Sequence, residues 1–182
     1  MSIIAVKINK NEIQVASDGI VVSGDEIVNE NFEKVKKISE TLIIGGTGLF
    51  DSILIYYKFV EDNLEAFENL EQVTEAFQLF KRFKDCLIED YGYAADTIKD
   101  FGGFIVVNKH FYGVFYYDEW LTPYSSKLHG NGNSFAFGST GIYTSALLDA
   151  GIDIVEAIKK SAEKYTSVNS NITLLTMTSS PP

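Results

Sequence analysis

The chain opens on strand-like alternation. Ile3, Ala5 and Lys7 alternate with Ile4, Val6 and Ile8, and Asn9-Lys10-Asn11 supplies turn chemistry. Ile13, Val15 and Ser17 then alternate with Gln14 and Ala16 up to Asp18-Gly19. Shorter strands are expected at Ile20–Val22, Glu26–Val28, Val35–Ile38 and Thr41–Gly45. Lys34-Val35-Lys36-Lys37-Ile38 alternates apolar and cationic positions, as a half-buried strand does.

The period then changes from two to about 3.6. Ile53, Tyr56, Tyr57 and Val60 share one face of a helix expected over about Phe50–Leu64. Val73, Ala76, Phe77, Phe80, Phe83 and Leu87 do the same over Leu70–Asp90. Strands return at Phe104–Asn108 and Tyr112–Tyr117, with Asn108-Lys109-His110 as the loop between them. Residues Asp118–Asn133 read as irregular, and Phe135–Phe137 as a short strand running into Gly138-Ser139-Thr140-Gly141. A helix follows over Ile142–Ala150. Another starts at Asp153, with Glu156 three residues on in a capping-box-like arrangement and an apolar stripe of Val155, Ile158, Ala162 and Tyr165. Ile172–Thr178 closes as a strand. Two helix pairs thus separate the β blocks, which predicts a layered α+β fold: two antiparallel sheets face each other and each carries helices outside. At 182 residues the chain fits one domain, residues 1–182.

Composition narrows the function. Fifteen Lys and Arg stand against 25 Asp and Glu, a formal charge of −10, which argues against a phosphate-backbone binder. No run reaches the roughly 18 apolar residues of a membrane span, and the N-terminus enters a strand pattern directly, with no signal-peptide character. A cytoplasmic location is expected. Cys86 is the only cysteine, which removes disulfides and cysteine-based zinc sites, and its neighbours Phe83 and Leu87 make it a core thiol. His110 and His129 are the only histidines; both are expected in exposed loops with no ligand cluster nearby, so neither metal nor cofactor is implied.

The candidate chemistry lies at the N-terminus. Removal of Met1 would expose Ser2 with a hydroxyl and a free α-amine on one residue, and an N-terminal amine is one of the recognised bases for a hydroxyl nucleophile. Its unperturbed pKa of about 7.7–8.0 suits proton transfer near neutrality. Asp18 follows at the end of the second strand, Lys34 sixteen residues later, and two glycine-rich turns, Gly45-Gly46-Thr47-Gly48 and Gly138-Ser139-Thr140-Gly141, each enter a helix.

Taken singly, these are a turn, a solvated charge and two loops. Their joint order, "VASDG", "NFEKVKKI", "GGTG" and "FGST", resembles the proteasome β-subunit family of N-terminal nucleophile (Ntn) hydrolases, with HslV the nearer branch. With Ser2 set at the family's nucleophilic threonine, Asp18 and Lys34 fall on its Asp and Lys without a gap.

The resemblance implies a four-layer αββα sandwich acting as a self-compartmentalising endopeptidase on unfolded polypeptide. Ser2 would attack, with its own amine as base. Lys34, held by Asp18, would stabilise the alkoxide, the Gly48 N–H would serve the oxyanion, and Ser139 would orient the amine. Val21, Phe32 and Gly46 would shape the substrate pocket, favouring a large apolar residue before the cleaved bond. The family implies stacked hexameric or heptameric rings of this chain and an ATPase unfoldase ring of the HslU type, with no nucleic-acid or membrane partner.

Two departures stand out. Serine replaces threonine, which removes the methyl that restricts χ1. In Ala162–Asn171, the family's Asp position falls on Glu163 or Tyr165, and its Ser position on Ser167, Val168 or Ser170. The alternatives to a peptidase are a catalytically silent ring subunit of the same fold and an amidase using the same chemistry on a small substrate.

Overall fold

The computed structural model describes residues 3–23, 26–94, 98, 101–108, 110–117, 120–125 and 134–178, with 115–117 and 120–125 as backbone only. In chain order the elements begin with β1 (Ile3–Ile8), β2 (Glu12–Asp18), β3 (Val21–Ser23), β4 (Glu26–Asn29), β5 (Val35–Lys37) and β6 (Leu42–Thr47). Helices α1 (Phe50–Asp62), α2 (Leu64–Glu68) and α3 (Val73–Glu89) lead into β7 (Gly102–Val107), β8 (His110–Tyr117), β9 (Trp120–Ser125) and β10 (Ser134–Gly138). Then come α4 (Gly141–Asp149), α5 (Ile154–Lys164) and β11 (Ile172–Thr178). The chain falls into two compact units, residues 1–36 with 130–182, and 37–129.

The first unit holds a four-stranded sheet in the order β10-β1-β2-β11, antiparallel throughout. From one sheet face Ile3, Ala5 and Ala16 pack with Leu148 of α4, with Ile154, Ala157 and Ile158 of α5, and with Val168. The opposite set, Ile4, Val6, Ile8, Ile13 and Val15, is buried as well. With both faces covered, these strands read as nearly continuous apolar runs. Each such side chain removed from water contributes about 1.5–3 kcal/mol before entropy is counted. Asp153 caps α5 as expected: its carboxylate accepts from the N–H groups of Val155 (2.9 Å) and Glu156 (3.4 Å). Helices α4 and α5 also meet through a buried hydroxyl contact, Thr144 to Ser161 at 2.7 Å.

The second unit is built on antiparallel β6, β7, β8 and β9, within a sheet ordered β5-β6-β7-β8-β9; β5 is where the chain passes between units. Its core is aromatic. Tyr56 lies 5.2 Å from Phe83 and 5.6 Å from Phe101, ring centre to ring centre, and its hydroxyl donates to the Phe104 carbonyl at 3.0 Å. That bond lets a buried phenol keep its polar end satisfied. A Cβ on Gly103 would stand 2.8 Å from the Phe80 ring and 2.9 Å from Phe101, so a glycine is what lets these rings lie on the strand.

Several boundaries depart from the sequence expectation, and four of the departures have a clear local cause or consequence. The helix expected over Phe50–Leu64 ends at Asp62, and α2 follows as a separate short helix. β7 begins at Gly102, its first two residues being glycines with no strand signal of their own. His110 is the first residue of β8, paired with Val107, and not part of a loop; Asn108 at φ +48° makes the tight turn. The stretch expected to be irregular contains β9, where Pro123 pairs with Val114. β9 is an edge strand, the place in a sheet where a proline's missing N–H costs least. No helix among the described residues is long and apolar enough to cross a membrane.

Candidate functional site

β2 delivers Asp18 to its C-terminal end, beside the start of β1, because β1 and β2 pair antiparallel with Ile4 opposite Ser17. The Asp18 carboxylate is fully enclosed and takes three donors. Oδ1 accepts the Ile3 N–H at 2.9 Å and the Lys34 ammonium at 2.6 Å, and Oδ2 accepts the Ile20 N–H at 3.3 Å. Lys34 is only 2% exposed, so this is an ion pair withdrawn from water. Burial holds the Lys34 ammonium below the usual lysine value of 10.5, while the charge and hydrogen bond of Asp18 pull it back up. The taxing part of such a pair is desolvation, which only a complete set of hydrogen bonds offsets.

Between Asp18 and Lys34 the chain makes the β3–β4 hairpin and returns. The Phe32 N–H donates to the Gly19 carbonyl at 2.9 Å, closing the base of that excursion. A Cβ on Gly19 would lie 2.6 Å from the Glu30 carbonyl oxygen and 3.1 Å from Cα of Asn31, so the two backbones approach closely only because residue 19 is glycine. Val21 and Phe32, expected to line a substrate pocket, both belong to this excursion and are half-buried.

On the other side of β1, Ile3 pairs with Gly138 of β10, so the turn that follows lies beside the beginning of β1. Gly138 has φ +109°, a conformation that favours glycine. A Cβ on Gly141 would meet the Ala136 carbonyl at 2.8 Å. The Thr144 hydroxyl donates to the Thr140 carbonyl at 3.1 Å and fastens this turn to α4. Ser139, in the turn, faces Ser167 with Oγ to Oγ at 3.2 Å.

That contact distinguishes the positions left open between Ala162 and Asn171. Glu163 lines an open cavity of about 410 Å³ with Lys159, Ala162, Val168, Asn169 and Ser170. Tyr165 stacks edge-on with Tyr143 at 5.6 Å. Val168 enters the core. Ser167 is the one whose side chain bonds to Ser139.

The structure therefore brings Asp18 and Lys34 together and gives Ser139 a hydroxyl partner. Ser2, the expected nucleophile, lies outside the described residues, as does His129. The amide that binds Asp18, however, is the one joining Ile3 to Ser2. Gly48 and Gly46 belong to the second unit. Gly48 takes φ +120° in the turn before α1. A Cβ on Gly46 would stand 3.3 Å from the Gly102 carbonyl and 3.4 Å from the Phe101 ring, so its smallness accommodates the neighbouring strand. Cys86 is partly buried, and burial followed by Asp90 pushes its thiol up to about 11, the character of an unreactive thiol. Sequence reasoning gave no role to Asn169, whose amide oxygen accepts the Gly19 N–H at 3.0 Å.

No family model and no curated protein sequence matches this chain. Its fold matches solved structures over nearly its whole length. Thiobacillus denitrificans BPH in complex with epoxomicin superposes with a TM-score of 0.77 at 17% identity, covering 98% of this chain and 100% of that one. Thiobacillus denitrificans BPH in a second structure gives 0.75 at 15% identity, covering 99% and 100%. Eukaryotic HslV from Trypanosoma brucei gives 0.68 at 14% identity, covering 97% and 99%. The chain has a proteasome β-subunit/HslV-like α+β fold.

Proposed function

We propose that this chain is an Ntn peptidase that hydrolyses peptide bonds of unfolded polypeptides, its two units forming one proteasome-like domain. The observation that carries the reading is the single carboxylate oxygen of Asp18, bound at once by the Lys34 ammonium at 2.6 Å and by the Ile3 N–H at 2.9 Å. A buried lysine is thereby tied to the peptide group that follows Ser2.

Once Met1 is removed, Ser2 Oγ attacks the substrate carbonyl carbon. The hydroxyl proton passes to the Ser2 amine, and that amine gives it to the nitrogen of the departing segment as the C–N bond breaks. Water then attacks the acyl ester, and the ester oxygen regains its proton. The Lys34 charge lowers the cost of the developing alkoxide and biases the adjacent amine toward its neutral, basic form. Ser139, backed by Ser167, orients the amine. The family resemblance assigns the oxyanion to the Gly48 N–H, and the pocket for a large apolar residue to Val21, Phe32 and Gly46. It also supplies the assembly: stacked hexameric or heptameric rings of this chain in the cytoplasm, served by an ATPase unfoldase ring.

The test begins with intact mass, which reads whether Met1 is gone. Turnover of a fluorogenic peptide by wild type, abolished in Ser2→Ala and Lys34→Ala, supports the assignment. An epoxyketone such as epoxomicin adds a sharper reading. Its ketone needs a hydroxyl and its epoxide an amine, so a stable adduct on Ser2 requires both on one residue. Turnover persisting in Ser2→Ala rejects the nucleophile. Neither turnover nor adduct in ring-assembled protein lacking Met1 favours a silent subunit.

A further inference from the structure

We propose that Asn169 is a positioning residue for the Asp18–Lys34 pair, its side-chain amide locking together the two ends of the excursion that separates them. The amide oxygen accepts the Gly19 N–H at 3.0 Å, and the amide nitrogen donates to the Glu30 carbonyl at 2.8 Å. Gly19 directly follows Asp18, and Glu30 lies four residues before Lys34, so one side chain bridges the chain just before β3 and just after β4. Asn171 adds a second donor to the same Glu30 carbonyl at 3.0 Å.

Two features make this bridge important. The hairpin has little apolar anchorage: β4 is exposed along its length, Ile27 at 55% and Val28 at 59%. Apolar anchorage lies outside the hairpin, at Ile20 and Val35, 2% and 1% exposed, so between those two anchors the polar bridge is what ties the outgoing chain to the returning one. The bridge is itself anchored, because its neighbour Val168 is only 4% exposed and sits in the core with α5. Asparagine also suits the position chemically. It must present an acceptor to one backbone group and a donor to another, which a carboxylate or an alkyl side chain cannot do. Residues 167–169 thus serve three ends in succession: Ser167 meets Ser139, Val168 fills the core, and Asn169 grips the excursion.

The inference depends on the peptidase reading only for its effect on turnover, so the test has a second readout. Lys34 faces the Asp18 carboxylate, and its titration is followed by side-chain NMR in protein also carrying Ser2→Ala. Loosening the bridge admits water to the ammonium, and because burial is the larger influence on it, its midpoint in Asn169→Ala rises toward 10.5. In protein with Ser2 intact, kcat falls about tenfold or more with KM little changed, as expected of a displaced reacting group. Asn169→Gln, which keeps both polar functions, recovers part of each effect. An unmoved Lys34 midpoint in folded Asn169→Ala overturns the proposal. If that variant fails to fold, Asn171→Ala decides in the same way, by a smaller upward shift or none. Wild type without turnover would remove the peptidase reading and leave the Lys34 titration to judge the bridge alone.

Discussion

The Ile3 N–H and the Lys34 ammonium converge on one oxygen of Asp18, at 2.9 and 2.6 Å, inside an environment that excludes water. The first residue of β1 and the residue before β5 are thereby coupled through the last residue of β2. Removing the middle member should be more damaging than removing either partner. In Asp18→Asn the lysine stays buried without its counter-charge, which typically costs about 3–5 kcal/mol. Urea unfolding measures it. Asp18→Asn combined with Lys34→Met, which leaves no unpaired charge, should recover much of the loss. A double variant no more stable than Asp18→Asn alone would show that packing, not charge, dominates.

Lys34 also sets a pH dependence. Its folded pKa lies below 10.5, chiefly because of burial. Between the folded and unfolded values the unfolded chain holds more protons, so the contribution of this group to stability rises with pH across that interval. Activity should move the opposite way. The ammonium is the form that stabilises the alkoxide, so kcat/KM should fall as pH climbs through the folded value, on an alkaline limb beneath 10.5. Arginine stays charged throughout this range. An active Lys34→Arg variant should lack that limb, and an unchanged limb would assign it to another group.

Gly19 is constrained by approach and not by backbone angle. Alanine there places a methyl 2.6 Å from the Glu30 carbonyl oxygen, an atom of the backbone that cannot swing aside. The excursion must shift, at about 1–3 kcal/mol. Thermal unfolding should register the loss, and the displacement should reach Lys34, lowering kcat more than the stability change alone explains.

Much of this architecture is legible in the chain, and what escapes has physical causes. The alternation in Ile3–Ile8 and Ile13–Ser17 marks β1 and β2, and the aromatic spacing marks α1 and α3, because burial imposes those periods directly. The alternation around Lys34-Val35-Lys36 gives no sign that Lys34 is buried while Lys37 is solvated. That difference is made by Asp18, sixteen residues away. β9 escapes because Pro123 suppresses the strand signal at a position where only tertiary context, an edge, makes it tolerable. Asn169 is invisible for a similar reason: both of its partners are backbone groups about 140–150 residues distant, and backbone groups leave no trace in sequence.

Ser139 and Ser167 offer a prediction in which stability and turnover separate. Their 3.2 Å contact is between exposed hydroxyls, and surface substitutions of this kind ordinarily change stability by no more than about 0.5 kcal/mol. Ser139→Ala and Ser167→Ala should therefore unfold at nearly the wild-type temperature. If the pair orients the Ser2 amine, each should still lower kcat, by about 10²-fold for Ser139 where proton transfer is directly affected, and less for Ser167, which acts through it. Residues acting in series are not additive, since once Ser139 is gone Ser167 has nothing left to hold. The double variant should then match Ser139→Ala alone. Independent, multiplying losses would mean that the two hydroxyls serve different steps, and losses confined to KM would move them from orienting the base to contacting the substrate.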